Sequence, residues 1–302
     1  MCSGTTPAGI SPTAAARVTS AACAPDGGRR VVSVEHTVTV IRAPRGRARI
    51  AALGGQIGAF SLVELQKLRR DRSELLTRMI QPALWLLIFG QTFSHLRVID
   101  TGEVSYLAFL TPGILAQSAL FIAIFYGIQI VWDRDAGILA KLMVTPAPPA
   151  ALVTGKSFAA GIRSVAQVVG VLAIAYLMMI PLTVNPLRIL AAMAVVVLGT
   201  VFFTCLSMTL AGLVRNRDRL MGIGQAITMP LFFASNALYP VDIMPEWLQR
   251  LSAVNPLSYQ VNALRGLLLG TPANYLVDIG VLVLAALLGI ASASALLRRL
   301  TR

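Results

Sequence analysis

Gly155-Lys156-Ser157 reproduces the end of a phosphate-binding loop, in which backbone amides and a lysine cradle the phosphates of a nucleotide. That motif requires a glycine five positions before its second glycine, and a strand leading into it. Ala150 stands at that position, and the flanks are long apolar stretches. Nucleotide binding is therefore not expected here. Other reactive residue types are sparse. His36 and His95 are isolated, and Cys2, Cys23 and Cys205 form no CxxC pair and no metal-ligand spacing. No HExxH or GxSxG is present. Cys205 lies in an apolar run and reads as a small packing residue. No catalytic residue, no bound cofactor and no metal ligand is expected in this chain.

Composition directs attention to the elements instead. Apolar residues make up 56% and charged residues 13%, and the mean hydropathy is +0.73. A soluble domain carries about 25% charge. Uncharged runs extend over Met79–Leu96, Val104–Trp132, Ser164–Leu187, Ile189–Val214, Leu220–Val241 and Ile279–Leu297. A helix of about 20 residues crosses ~30 Å of hydrocarbon, and lipid forces each backbone N–H to be satisfied within its own segment. The expected fold is all-α: a polytopic membrane protein with six transmembrane helices, near 79–96, 106–130, 158–180, 189–214, 220–239 and 276–297.

Residues 1–50 are rich in Ala, Thr, Ser, Pro, Gly and Arg and read as a disordered tail, not a secretory signal peptide. Residues 51–78 read as an amphipathic helix on the cytoplasmic membrane surface, with Ile57, Leu65, Leu68 and Leu75 on one side. The net charge of +13 does not point to nucleic acid, because Lys and Arg flank the spans. On a six-span topology all but four of the 26 basic residues fall on one side; Arg97, Arg188, Arg250 and Arg265 fall on the other. The positive-inside rule then places both termini in the cytoplasm.

Two segments between spans carry more pattern than a connection needs. The first runs from Trp132 through Asp133, Arg134, Asp135 and Gly137 to Ile138, Leu139 and Leu142, and stops at Pro146, Pro148 and Pro149. Charge followed by apolar residues at helical spacing predicts a short amphipathic helix, suited to a partner's groove or to lipid headgroups. The second precedes the last span. It holds Pro240, Pro245, an apolar stripe with Trp247 at interface depth, Asn255-Pro256 as a helix-start signal, Tyr259, and Arg265. Arg265 is expected to snorkel to water or to pair with a carboxylate.

At these two segments the chain resembles the transmembrane subunits of type-2 ATP-binding cassette (ABC) exporters, the multidrug and daunorubicin-resistance type of permease. The resemblance runs from about Phe60 to the C-terminus. It rests on Asp133-Arg134-Asp135-Ala136-Gly137 through Thr145-Pro146 and Gly155-Lys156, and on Pro245-Glu246-Trp247-Leu248 and Asn255-Pro256-Leu257-Ser258-Tyr259 with Ala263 and Arg265. Asp135 departs from the family's more usual Glu, and Asn236 from its frequent Gly. The resemblance implies a bacterial cytoplasmic-membrane permease for a hydrophobic or amphipathic substrate. It implies a separate ATPase subunit that binds ATP and Mg, and a second permease copy or a paralogue. Asp133, Arg134 and Asp135 would form the polar rim of an ATPase-coupling helix, with Ile138, Leu139 and Leu142 as its apolar core.

Polar residues within spans are costly and usually face protein or a cavity. Gln117, Gln167, Gln225 and Asn236 are the candidates for lining a route, with helix–helix hydrogen bonding as the competing role. No span carries an acidic residue near its centre, which disfavours a proton-coupled carrier. A secondary transporter or channel remains the alternative.

Overall fold

A computed structural model of the chain describes residues 72–96, 104–137, 149–214 and 216–300, together with Gly55, Gly58 and Gln66. The tail 1–50, nearly all of the surface helix expected at 51–78, and Ile138, Leu139 and Leu142 lie outside the described residues. Among those described there is no β-strand.

Helix α1 (Arg72–Leu84) runs through a π-helical turn, Trp85–Gly90, into α2 (Gln91–Leu96). The end of the expected surface helix is thus continuous with the first apolar run. Then follow α3 (Tyr106–Asp135), α4 (Pro149–Leu177), α5 (Pro186–Leu213), α6 (Arg217–Phe233), α7 (Glu246–Val254), α8 (Pro256–Leu269) and α9 (Tyr275–Leu300). Among the described residues four helices are long and apolar enough to cross a membrane: Tyr106–Asp135, Leu152–Leu177, Pro186–Leu213 and Tyr275–Leu296. At 1.5 Å per residue α3 is about 45 Å long and overruns a hydrocarbon core.

Helix starts follow the sequence closely. Asn185-Pro186 and Asn255-Pro256 open α5 and α8: each Asn side chain accepts from the amide two residues on, at 3.0 Å, and each proline occupies the first turn, where no N–H is missed. Asn216 caps α6 in the same way. Gly270 ends α8 with φ +75°, a conformation open to glycine at little cost.

Helix α5 is the hub, packed against α3, α4, α8 and α9. Close approach depends on small residues, since lipid offers no hydrophobic drive between apolar helices. A Cβ added at Gly127 of α3 would lie 2.4 Å from Ser207 Cβ of α5. Ser207 Oγ also donates to the Ile124 carbonyl at 2.7 Å, tying the two backbones.

Candidate functional site: two polar clusters and a cleft

Side-chain hydrogen bonds hold the residues of the second segment against the end of α6. A helix end leaves carbonyls without intrahelical partners, and burial makes each of them costly. Here side chains supply the donors. Asn255 Nδ2 donates to the Leu231 carbonyl at 2.6 Å, Ser235 Oγ to Phe232 at 2.6 Å and Tyr239 hydroxyl to Phe233 at 2.5 Å. Arg265 donates to the Asn236 carbonyl at 2.5 Å and reaches Ala237 and Phe109 at 3.4 Å. Tyr106 hydroxyl takes Leu238 at 3.2 Å.

This corrects the expectation for Arg265. Its side chain neither snorkels nor meets a carboxylate. It is buried, 7% exposed, with its guanidinium 3.6 Å from the centre of the Phe109 ring. A planar fork with several donors suits a set of carbonyls better than an ammonium would. Asn236 is buried beside it and donates to Asn262 Oδ1 at 2.5 Å. Tyr259 hydroxyl closes on the Ala253 carbonyl at 2.6 Å, and the Pro245 carbonyl accepts from Leu248 and Gln249 at the start of α7. Trp247 projects outward, 67% exposed.

The second cluster lies at the opposite end of α3, 27 residues or about 40 Å from Tyr106. Asp133, Arg134 and Asp135 are the last turn of α3 itself, and Gly137 leaves it with φ +70°. Asp133 accepts from Lys156 Nζ, whose side chain is only 10% exposed. Arg134 pairs with Asp135 at 2.9 Å. Lys156 does not sit in a loop: α4 already begins at Pro149, so the lysine lies two turns inside a helix. A lone lysine in an apolar helix is the signal that identifies it, since a charge there demands a partner. Ser157 beside it contacts Cys205 Sγ at 3.2 Å, so Cys205 packs against α4.

The four candidate route residues separate. Gln117 and Asn236 are buried inside the fold, and Gln225 is exposed on α6. Gln167 is buried and donates from Nε2 to the Arg78 carbonyl at 3.1 Å. That carbonyl lies four residues before Pro82, which has no N–H to offer it.

Between these helices lies a cleft that the sequence did not signal. A cavity of 520 Å³ is walled by Arg78 of α1, Phe125, Tyr126, Gln129 and Trp132 of α3, and Arg163 of α4. Arg163 stands over the Tyr126 ring, 5.4 Å from its centre. A second space of 230 Å³ shares Arg78, Ile122 and Phe125 with the first. A third, apolar groove of 370 Å³ lies between α6 and the α7–α8 junction. Among the described residues no group of His, Cys, Asp or Glu is placed to hold a metal ion.

Comparison with known proteins agrees with this arrangement. The family model for ABC-2 type transporters matches residues 55–269, which include both clusters. A chain of Porphyra purpurea named as a transport permease, ycf38, is 31% identical over 214 residues, 70% of this chain and 72% of that one. Nodulation protein J of Rhizobium leguminosarum bv. viciae is 28% identical over 230 residues, covering 75% and 87%. The daunorubicin resistance ABC transporter permease protein DrrB1 of Streptomyces coeruleorubidus is 24% identical over 217 residues, covering 72% and 76%. With its apolar helical bundle and a family match across most of its length, this chain belongs to the ABC-2 type transporter family of membrane permeases.

Proposed function

We propose that this chain is the membrane-spanning half of an ATP-driven exporter for a hydrophobic or amphipathic substrate, a drug, antibiotic, lipid or polyketide. A separate ATPase subunit binds ATP and Mg, and a second permease copy or a paralogue completes the route. The observation that carries the reading is the family match across both clusters. Drug-resistance permeases among the relatives support the substrate class and the outward direction.

In this reading the continuous stretch 72–96 and the 17-residue α6 join the four long helices as the remaining spans. Both termini are cytoplasmic, in a bacterial plasma membrane. The Asp133–Lys156 end of α3 then faces the ATPase. The partly buried ion pair ties α3 to α4, so a displacement of the segment after Gly137 moves both helices together. Closure of two ATPase subunits on nucleotide biases this element between two arrangements. The stapled α7–α8 segment closes the outer end.

Affinity isolation from native membranes should recover an ATP-binding subunit. The co-purified complex in liposomes should move a fluorescent amphiphile only with Mg-ATP. Transport that persists without ATP, driven by an ion gradient, would return the chain to the class of secondary carriers and overturn the reading.

A further inference from the structure

We infer that the groove between α6 and the α7–α8 junction holds one acyl chain of a membrane phospholipid. The first argument is depth. Helices α7 and α8 meet at Asn255-Pro256. There Asn255 Nδ2 donates to the Leu231 carbonyl, inside α6; at the far part of α8, Arg265 reaches the Asn236 and Ala237 carbonyls, in the turn beyond α6. So α7 descends along α6 and α8 climbs back, with Asn255-Pro256 as the tip. Charge follows the same gradient. Glu246 and Arg250, in the first turns of α7, point outward, 90% and 84% exposed, and pair at 3.8 Å. No charged residue occurs between Arg250 and Arg265. The shallow end is charged and carries Trp247, and the tip is uncharged, as suits a hairpin dipping from head groups into hydrocarbon.

The second argument is the chemistry of the walls. The groove has a volume of 370 Å³, within the ~300–1,000 Å³ of ordinary ligand sites. Ile227, Leu231 and Ala234 line it from α6 and its end, Leu251 and Val254 from α7. Among the described residues Asn255 is the one polar side chain in the lining, and its amide is spent: Nδ2 on Leu231, and Oδ1 accepting from the Leu257 N–H at 3.0 Å. No side-chain donor or acceptor remains for a polar ligand, and a hydrocarbon chain forfeits no hydrogen bond by entering.

The third argument is access. Leu251 and Val254 are 48% and 78% exposed, so the groove is open on their side. With Trp247 they form one stripe, within about 60° of one another at 3.6 residues per turn. Met229 and Phe233, also exposed, continue the apolar surface on α6. An open apolar groove beside a span is bathed by lipid tails, the solvent at that depth. The outer leaflet as their source rests on the orientation proposed above; the binding itself needs neither ATP nor a partner. Binding without ATP-driven transport overturns the transport reading alone, and ATP-driven transport without this binding overturns this inference alone.

The test uses the full chain in maltoside micelles, with Trp85→Phe, Trp132→Phe and Trp247→Phe, and Leu251→Trp as the reporter in the groove wall. Titration with 1-palmitoyl-2-(9,10-dibromostearoyl)phosphatidylcholine should give quenching that saturates at about one lipid per chain. Stearoyl-lysophosphatidylcholine should reverse it, and glycerophosphocholine, the head without a tail, should not. Val254→Asp should weaken the lipid by about tenfold or more, a tenfold loss being 1.4 kcal/mol. Leu284→Phe, on the exposed face of α9, should leave it unchanged. Native mass spectrometry of the chain with its own indoles checks the reporter: one retained phosphatidylcholine per chain is expected, lost in Val254→Asp. Quenching that rises without saturation, reversal by glycerophosphocholine, or equal lipid retention by Val254→Asp would overturn the assignment. So would a dimer, seen by light scattering, that Val254→Asp splits into monomers, because a second copy would then cover the stripe.

Discussion

Gln167 Nε2 donates to the main-chain carbonyl of Arg78 across 3.1 Å, filling the acceptor that Pro82 leaves empty one turn on. In lipid a proline inside a helix is tolerated when a neighbour re-satisfies the freed carbonyl. A glutamine on α4 does so here, and it couples the kinked α1 to the bundle. Gln167→Leu should cost roughly 1–3 kcal/mol, the penalty for a buried acceptor left bare. In the Pro82→Ala background the same change should cost far less, because the new N–H reaches the carbonyl. Thermal unfolding of the four variants in detergent measures the cycle, and additive losses would refute the pairing.

Arg265 is the donor that the end of α6 cannot replace. Arg265→Lys keeps the charge yet reaches fewer carbonyls and loses the stack on Phe109. A loss of about 2–4 kcal/mol is expected from bare buried carbonyls together with the weakened cation–ring contact. Protease accessibility of the α7–α8 segment should rise in step. An unchanged cleavage pattern would contradict the staple.

At the other end, Lys156→Gln strands the Asp133 carboxylate in a partly buried place. Breaking one side of such a pair costs more than removing both, by roughly 2 kcal/mol or more. The Asp133→Asn, Lys156→Gln double variant should therefore be more stable than Lys156→Gln alone. Melting temperatures of purified protein decide it.

Replacing Ile138 and Leu139 with Glu should leave membrane insertion intact and uncouple ATPase stimulation from transport, if these residues enter the partner's groove. ATPase activity and amphiphile flux are measured on the same liposomes. Wild-type flux in the double variant would remove the coupling assignment.

Orientation is open to direct labelling. With Cys2 and Cys23 replaced by Ser and Cys205 buried, Trp247→Cys should react with a membrane-impermeant maleimide applied outside intact cells. Ala136→Cys should react only after permeabilisation. The opposite pattern would put Asp133 and Gly137 out of reach of any cytoplasmic motor.

Periodicity and charge spacing along one dimension were enough to determine that this chain is apolar helices crossing lipid, with Asn255-Pro256 as a helix start, because caps and span lengths are local properties. The pairing of its few polar groups was decided by the tertiary structure. Lys156, the tail of a nucleotide-loop lookalike, turned out to be Asp133's partner on the next helix; Arg265 turned inward to carbonyls of α3 and of the turn that follows α6; and Gln167 served a proline 85 positions earlier, Pro82. A buried donor must find an acceptor, but which one it finds depends on where the folded backbone brings it, and no spacing rule along the chain carries that information.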